Sequence, residues 1–229
     1  MVGWITVSRA FPNALRLVKN IAHQKLNLPR FAPVMALPEV MLFPGAMLPL
    51  YIFEKRYRAM LAWALEQHRM FCMAPTKPHV TDAASVEDFH HTVGLGMVRA
   101  CIAHEDGTSH LVLQGIARVR LTGFVQEEPF RMAEIRELLS HPVERSEVEP
   151  QIAKLREICA RLQPEGAILQ GGVDQQLAKI HDPELFADVI AQTFLSDAAR
   201  LQEVFEELHV GRRMELLARH LQDQSDATG

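Results

Sequence analysis

The chain reads as an α+β protein in which a β-rich lobe comes first and a helical lobe follows. Three observations predict this. Between residues 33 and 140 the apolar residues fall in short runs punctuated by proline and glycine, the mark of strands rather than helices. Within that part an Asp106-Gly107 pair separates two apolar runs, a strong hairpin signal. After His141-Pro142 the apolar spacing becomes helical, and strands followed by helices indicate two segregated layers.

The elements follow in order. Val34 to Leu37, Val40 to Phe43 and Met47 to Ile52 are predicted strands, separated by Pro38-Glu39 and Pro44-Gly45. From Glu54 to Gln67 the period changes: Tyr57, Met60, Leu61, Ala64 and Leu65 share one face of an amphipathic helix. A strand from Met70 to Ala74 ends at Pro75, and a polar loop occupies 76–91. Val93 to Ala103 is strand-like and contains Gly94 and Gly96. The Asp-Gly turn leads into His110 to Gln114, Gly115 breaks that run, and Ala117 to Phe124 resumes it with Arg118 and Arg120 alternating outward. Phe130 to Leu139 completes a set of six to eight strands with one helix, which points to a strongly curved sheet or barrel.

The second part opens with a helix from Glu147 to Leu162, carrying Ile152, Leu155, Ile158 and Cys159 on one face. Residues 163–173 are interrupted by Pro164, Gly166 and Gly171-Gly172. Asp182-Pro183 starts the next helix with proline at its favoured first position, and Ser196-Asp197 supplies the cap of another. A last helix from Arg212 to Leu221 has Met214, Leu217 and Leu221 as its apolar positions. The predicted organisation is therefore a basic extension over residues 1–30, helical or poorly ordered, a β-rich lobe over 31–142 and a helical lobe over 143–229.

Charge is divided unevenly along the 229 residues. Residues 1–30 contain Arg9, Arg16, Lys19, Lys25 and Arg30 and no acid, a balance of +5, which leaves -9 for the rest. That balance argues against a nucleic-acid binder, which needs clustered Lys and Arg for phosphates. Cys72, Cys101 and Cys159 form no Cys-x-x-Cys pair, so no disulfide framework is expected. No run approaches the ~20 apolar residues of a membrane span, and no secretory leader is evident. A cytoplasmic protein is expected.

Catalytic signatures are sparse. There is no Gly-Lys dipeptide and hence no ordinary phosphate-cradling loop, and no Gly-x-Ser-x-Gly or His-Glu-x-x-His. Gly94-x-Gly96 lies in a strand run and lacks the third glycine of a dinucleotide fingerprint. His90-His91 and His104-Glu105 have no helical i, i+4 partner and no neighbouring cysteine, so they form no metal motif by spacing. No cofactor, metal or catalytic residue is expected.

One long motif is specific. The run Leu37-Pro38-x-x-x-Leu42-Phe43-Pro44-Gly45-x-x-Leu48-Pro49-Leu50-Tyr51-Ile52-Phe53-Glu54-x-Arg56-Tyr57 resembles the opening of the Lon protease N-terminal domain, above all its free-standing bacterial versions. The resemblance continues at Val93-Gly94-Leu95-Gly96-Met97-Val98, at Asp106-Gly107-Thr108, at Leu113-x-Gly115-x-x-Arg118-Val119, and through Asp182-Pro183, Phe194-Leu195-Ser196 and Gln202-x-Val204-Phe205-Glu206. It implies a PUA-like pseudo-barrel followed by a helical bundle, and a role in recognising polypeptides. The nucleotide-binding motif and Ser-Lys protease domain of Lon are absent from the 229 residues, so a non-enzymatic recognition module is expected, with unfolded or partner polypeptides as ligands. Its candidate recognition surface comprises Phe43, Pro44, Pro49, Tyr51, Phe53, Glu54, Arg56, Tyr57 and Arg118. The alternative is a small-molecule or RNA-binding module of the same PUA-like type.

Overall fold

A computed structural model describes residues 27–80, 83–162, 175 and 177–228. Most of the basic extension, and the interrupted stretch 163–173, lie outside the described residues. The chain divides into two compact units, the first reaching Leu138 and the second starting at Leu139.

The first unit is built on six strands, β1 (Phe31–Ala36), β2 (Met47–Ile52), β3 (Met70–Ala74), β4 (Thr92–Ala103), β5 (Ser109–Gln126) and β6 (Met132–Leu138), with helix α1 (Lys55–Glu66) between β2 and β3. The sheet order is β2-β5-β4-β3-β1-β6, and β6 pairs a second time with β5. Five strands therefore close into a ring, and β2 is appended outside it along the first half of β5. Closure rests on the 18-residue length of β5: its early residues pair Tyr51↔His110 and Pro49↔Val112 with β2, its later ones Leu121↔Ile135 and Phe124↔Ala133 with β6. All pairs are antiparallel except β1–β3, which is parallel and needs the α1 crossover between them.

Burial explains the composition of the strands. Met70, Cys72 and Ala74 of β3 fill the core cluster that contains Val34, Val93, Val119 and Ile135, while Phe71 and Met73 enter a second cluster with Leu42, Leu50, Tyr57, Met60 and Leu61. A strand covered on both faces reads as a continuous apolar run, as Met70 to Ala74 does.

Two predicted strands are corrected. Val40 to Phe43 forms no strand; residues 40–43 are irregular and lie over the wall of the ring. Gly115 does not end a strand: β5 continues through it, with Ile116 bulged out of the β4 ladder between Gly115 and Ala117. Both corrections have one cause. A side chain at Gly94 would collide with the Leu42 carbonyl, and one at Gly115 with the Phe43 carbonyl. Gly45 N–H donates to the Gly115 carbonyl and Gly115 N–H to that of Ala46, each at 2.9 Å. The glycines let an irregular segment lie directly on the sheet. Pro44-Gly45 then makes a tight turn, with Gly45 at φ 82° and Ala46 N–H returning to the Phe43 carbonyl at 3.0 Å. The hairpin forms as predicted, with Gly107 at φ 79°.

The second unit contains α2 (Arg145–Arg161), α3 (Pro183–Phe194), α4 (Ala198–Glu206) and α5 (Val210–Thr228). Asp182 and Asp197 cap α3 and α4, each accepting a backbone N–H at 2.8 Å. The predicted apolar positions Ile152, Leu155, Ile158, Met214, Leu217 and Leu221 are all buried. An ion pair lies in this core. Arg213 donates to Asp188 at 2.9 Å and to Glu184 at 3.2 Å, and both Arg213 and Asp188 are fully buried. Arg213 also reaches the Glu207 carbonyl at 2.7 Å and Ser140 Oγ at 2.8 Å, tying α5 and α3 to the start of the unit.

Candidate functional site

β2 is the edge strand of the first unit, and its inner residues Leu50 and Ile52 hold it to the core. Proline is tolerated on such an edge because one side of the strand has no ladder to complete, and Pro49 stands there opposite Val112. On the outer face the register aligns Tyr51 with His110 of β5, and His110 in turn with Ile102 of β4. Ile102 is 66% exposed.

Ring contacts extend along this face. Tyr51 lies 5.8 Å from Phe53 and 4.7 Å from His110, and His110 lies 5.0 Å from His104. Phe53, Tyr51, His110 and His104 thus form a continuous row of rings beside the open edge. Glu54 and Arg56 border it where β2 gives way to α1. Glu54 occupies the cap position without a capping hydrogen bond; its carboxylate instead accepts Arg56 Nε–H at 2.9 Å, and the Arg56 guanidinium sits 4.6 Å over the Tyr57 ring.

Three of the sequence-selected residues lie inside. Phe43 is 0%, Arg118 2% and Tyr57 3% exposed. Arg118, expected to point outward, stacks its guanidinium 5.6 Å from the Phe43 ring, because the segment ending at Phe43 covers the outer side of β5. The Tyr57 hydroxyl donates to the Ala36 carbonyl at 3.1 Å and accepts its N–H at 3.2 Å. Burial raises the Tyr57 pKa, outweighing the nearby Arg56 charge. These three hold the surface in place. Pro44, Pro49, Tyr51, Phe53, Glu54 and Arg56 are at least half-buried to exposed, and the last five adjoin one another.

Ile102, Val112 and His110 lie on this face but outside the sequence-selected set, as does His104, which the sequence raises only as a metal candidate. The Asp-Gly hairpin contains the signal for the Ile102–His110 pair, but nothing local announces that β2 pairs with β5. Among the described residues no three His, Cys, Asp or Glu side chains converge as metal ligands, and no helix is long and apolar enough to cross a membrane.

The family model of the ATP-dependent protease La (LON) substrate-binding domain matches residues 32–223. The chain belongs to that family. The Lon protease of Trichlorobacter lovleyi is similar, 27% identical over 189 residues covering 80% of this chain and 23% of the relative. The Lon protease of Xanthomonas oryzae is 28% identical, over 81% of this chain and 22% of the relative. This Lon-family chain therefore spans about a quarter of the length of the curated relatives it matches. Among solved structures, the N-terminal domain of the Mycobacterium avium complex Lon protease superposes with a TM-score of 0.66 at 17% identity, covering 84% of this chain and 98% of that one. The Lon N-terminal domain protein from Xanthomonas campestris gives 0.60 at 16% identity, covering 82% and 97%. The α+β fold, a PUA-like β-rich lobe with a helical lobe, is that of Lon N-terminal domains.

Proposed function

We propose that this chain is a non-catalytic recognition module that binds extended, apolar-rich polypeptides along β2. The observation that carries the reading is the edge strand β2 bearing Pro49, Tyr51 and Phe53, with exposed Ile102 two strands further in on the same face, in a chain of the Lon substrate-binding domain family. An edge of this kind offers backbone hydrogen bonds to a strand of any sequence, and the aromatic row adds preference for apolar side chains. Such a mode suits a recogniser of many unfolded segments, since affinity comes mainly from the shared backbone. Glu54 and Arg56 form the polar border that sets which flanking charges are accepted.

A peptide array tests it. The chain is expected to retain extended peptides rich in aliphatic and aromatic residues, and the double substitution Tyr51→Ser with Ile102→Asp to weaken retention about tenfold while leaving the urea midpoint unchanged. Equal retention by the variant, or none by the parent chain, overturns the proposal; retention of RNA in place of peptide favours the PUA-like alternative.

A further inference from the structure

The direction in which each residue of β2 offers its backbone follows from hydrogen bonds near the two ends of its partner segment on β5. Gly115 accepts Gly45 N–H and donates to the Ala46 carbonyl, so its own peptide groups face β2. The Thr108 carbonyl accepts His104 N–H at 2.9 Å, so Thr108 faces β4. Successive residues of an antiparallel strand turn their N–H and C=O to alternate sides, and the β2–β5 register runs unbroken from Met47↔Gln114 to Ile52↔Ser109. Both bonds therefore turn Leu113, Leu111 and Ser109 toward β2, and their partners Leu48, Leu50 and Ile52 toward β5. Met47, Pro49 and Tyr51 aim their backbone groups the other way, to the side on which no strand among the described residues pairs with β2. Pro49, with no N–H to give, fits that assignment.

The open edge is therefore unequal in acceptors and donors. It presents the carbonyls of Met47, Pro49 and Tyr51 but only the N–H groups of Met47 and Tyr51. An antiparallel ligand strand exchanges a pair of bonds with Tyr51 and another with Met47, whereas at Pro49 it can only donate. In a five-residue stretch the first, third and fifth residues face Tyr51, Pro49 and Met47, and each needs a free N–H. The second and fourth, opposite Leu50 and Leu48, turn theirs to solvent and need none. The first side chain stands directly across from Tyr51, on the face where that ring meets His110 at 4.7 Å, a position that favours an aromatic residue.

We propose that β2 selects its ligand by the spacing of N–H groups: an antiparallel strand with an aromatic first residue, free N–H groups at its first, third and fifth residues, and tolerance of proline at the second and fourth. This rests on the recognition reading above and adds to it a direction, a register and a class of sequence. Pro49 sets the selectivity. The central ligand carbonyl finds no donor there, and a proline at the centre of the ligand removes the one bond that Pro49 allows.

Fluorescence anisotropy with the labelled nonapeptide Ser-Lys-Phe-Thr-Leu-Thr-Val-Lys-Ser, its backbone nitrogens methylated one at a time, provides the test on the full chain. Methylation at Phe, Leu or Val is expected to weaken binding at least about fivefold, and at either Thr by less than about twofold. The Pro49→Ala chain, which supplies the missing donor, should bind the unmethylated peptide about two- to tenfold tighter, its urea midpoint showing that it is folded. Losses that fail to alternate, or a folded Pro49→Ala chain that binds no tighter, overturn the proposal and leave recognition through side chains standing. No binding of the nonapeptide by a chain that retains other peptides on the array overturns it as well, whereas retention of no peptide at all is failure of the recognition reading itself.

Discussion

At the residue scale, Tyr57 carries two signals that point in opposite directions. It belongs to an aromatic motif suggestive of a binding surface, and it also begins the apolar face of α1. The periodicity is the better guide, because the ring completes the buried stripe with Met60, Leu61 and Ala64 and leaves its hydroxyl to join α1 to β1. Arg118 shows a related limit: alternation distinguishes the two sides of a strand but not which of them another segment covers, here the segment that ends at Phe43. His68 gives a pH dependence. Its Nδ1 accepts the Met70 N–H at 3.2 Å, its ring lies edge-on to Trp63, and desolvation lowers its pKa despite the opposing pull of the Phe31 backbone. The unfolded chain therefore takes up a proton near pH 6.5 that the folded chain refuses, so stability falls as pH drops through that value. In urea unfolding at pH 7.5 and 5.5, the parent chain should lose more stability than His68→Gln, whose amide oxygen still serves Met70; equal losses would remove His68 from the account.

At the element scale, the feature that organises the β-rich unit is the irregular segment 40–46 lying on Gly94, Gly96 and Gly115. Gly94→Ala forces a methyl group into the Leu42 carbonyl, backbone against backbone, and overpacking of this kind costs roughly 1–3 kcal/mol. Denaturant unfolding should show that loss at Gly94 and at Gly115, whereas Gly123→Ala, with nothing within 4 Å of the added carbon, should cost far less. Most strands, α1, the hairpin, the helix start at Asp182-Pro183 and the Asp197 cap are legible because each is specified by its own few residues. The path of residues 40–43 was not, since Val40-Met41-Leu42-Phe43 has the composition of a strand and only the glycines of two distant strands reveal where it lies. The proposed recognition face is half legible for the same reason. Pro49, Tyr51 and Phe53 are neighbours in sequence, but Ile102 and His110 join them through strand pairing alone.

At the scale of the whole molecule, each unit has its own core, with the Arg118 guanidinium buried against Phe43 in the first and a buried ion pair in the second. Arg213→Met leaves the buried Asp188 carboxylate without the guanidinium at 2.9 Å, a change that costs about 3–5 kcal/mol in buried pairs. The expected signs are a lower urea midpoint and faster thiol labelling of the buried Cys159 on α2, with most of the loss recovered when Asp188→Leu is added, since apolar replacements of buried pairs are often neutral. No recovery would show that the pair itself, rather than its desolvation, holds the helices together. The closed ring also sets a timetable for synthesis. Arg30, at the start of β1, meets Glu134 of β6 from 104 positions further along the chain. At about 5–20 residues per second, the ribosome needs roughly 5–20 s to deliver that partner. Throughout that interval β1 has at least one side unpaired, so this protein, itself proposed to bind unpaired strands, starts life as something its own kind would recognise.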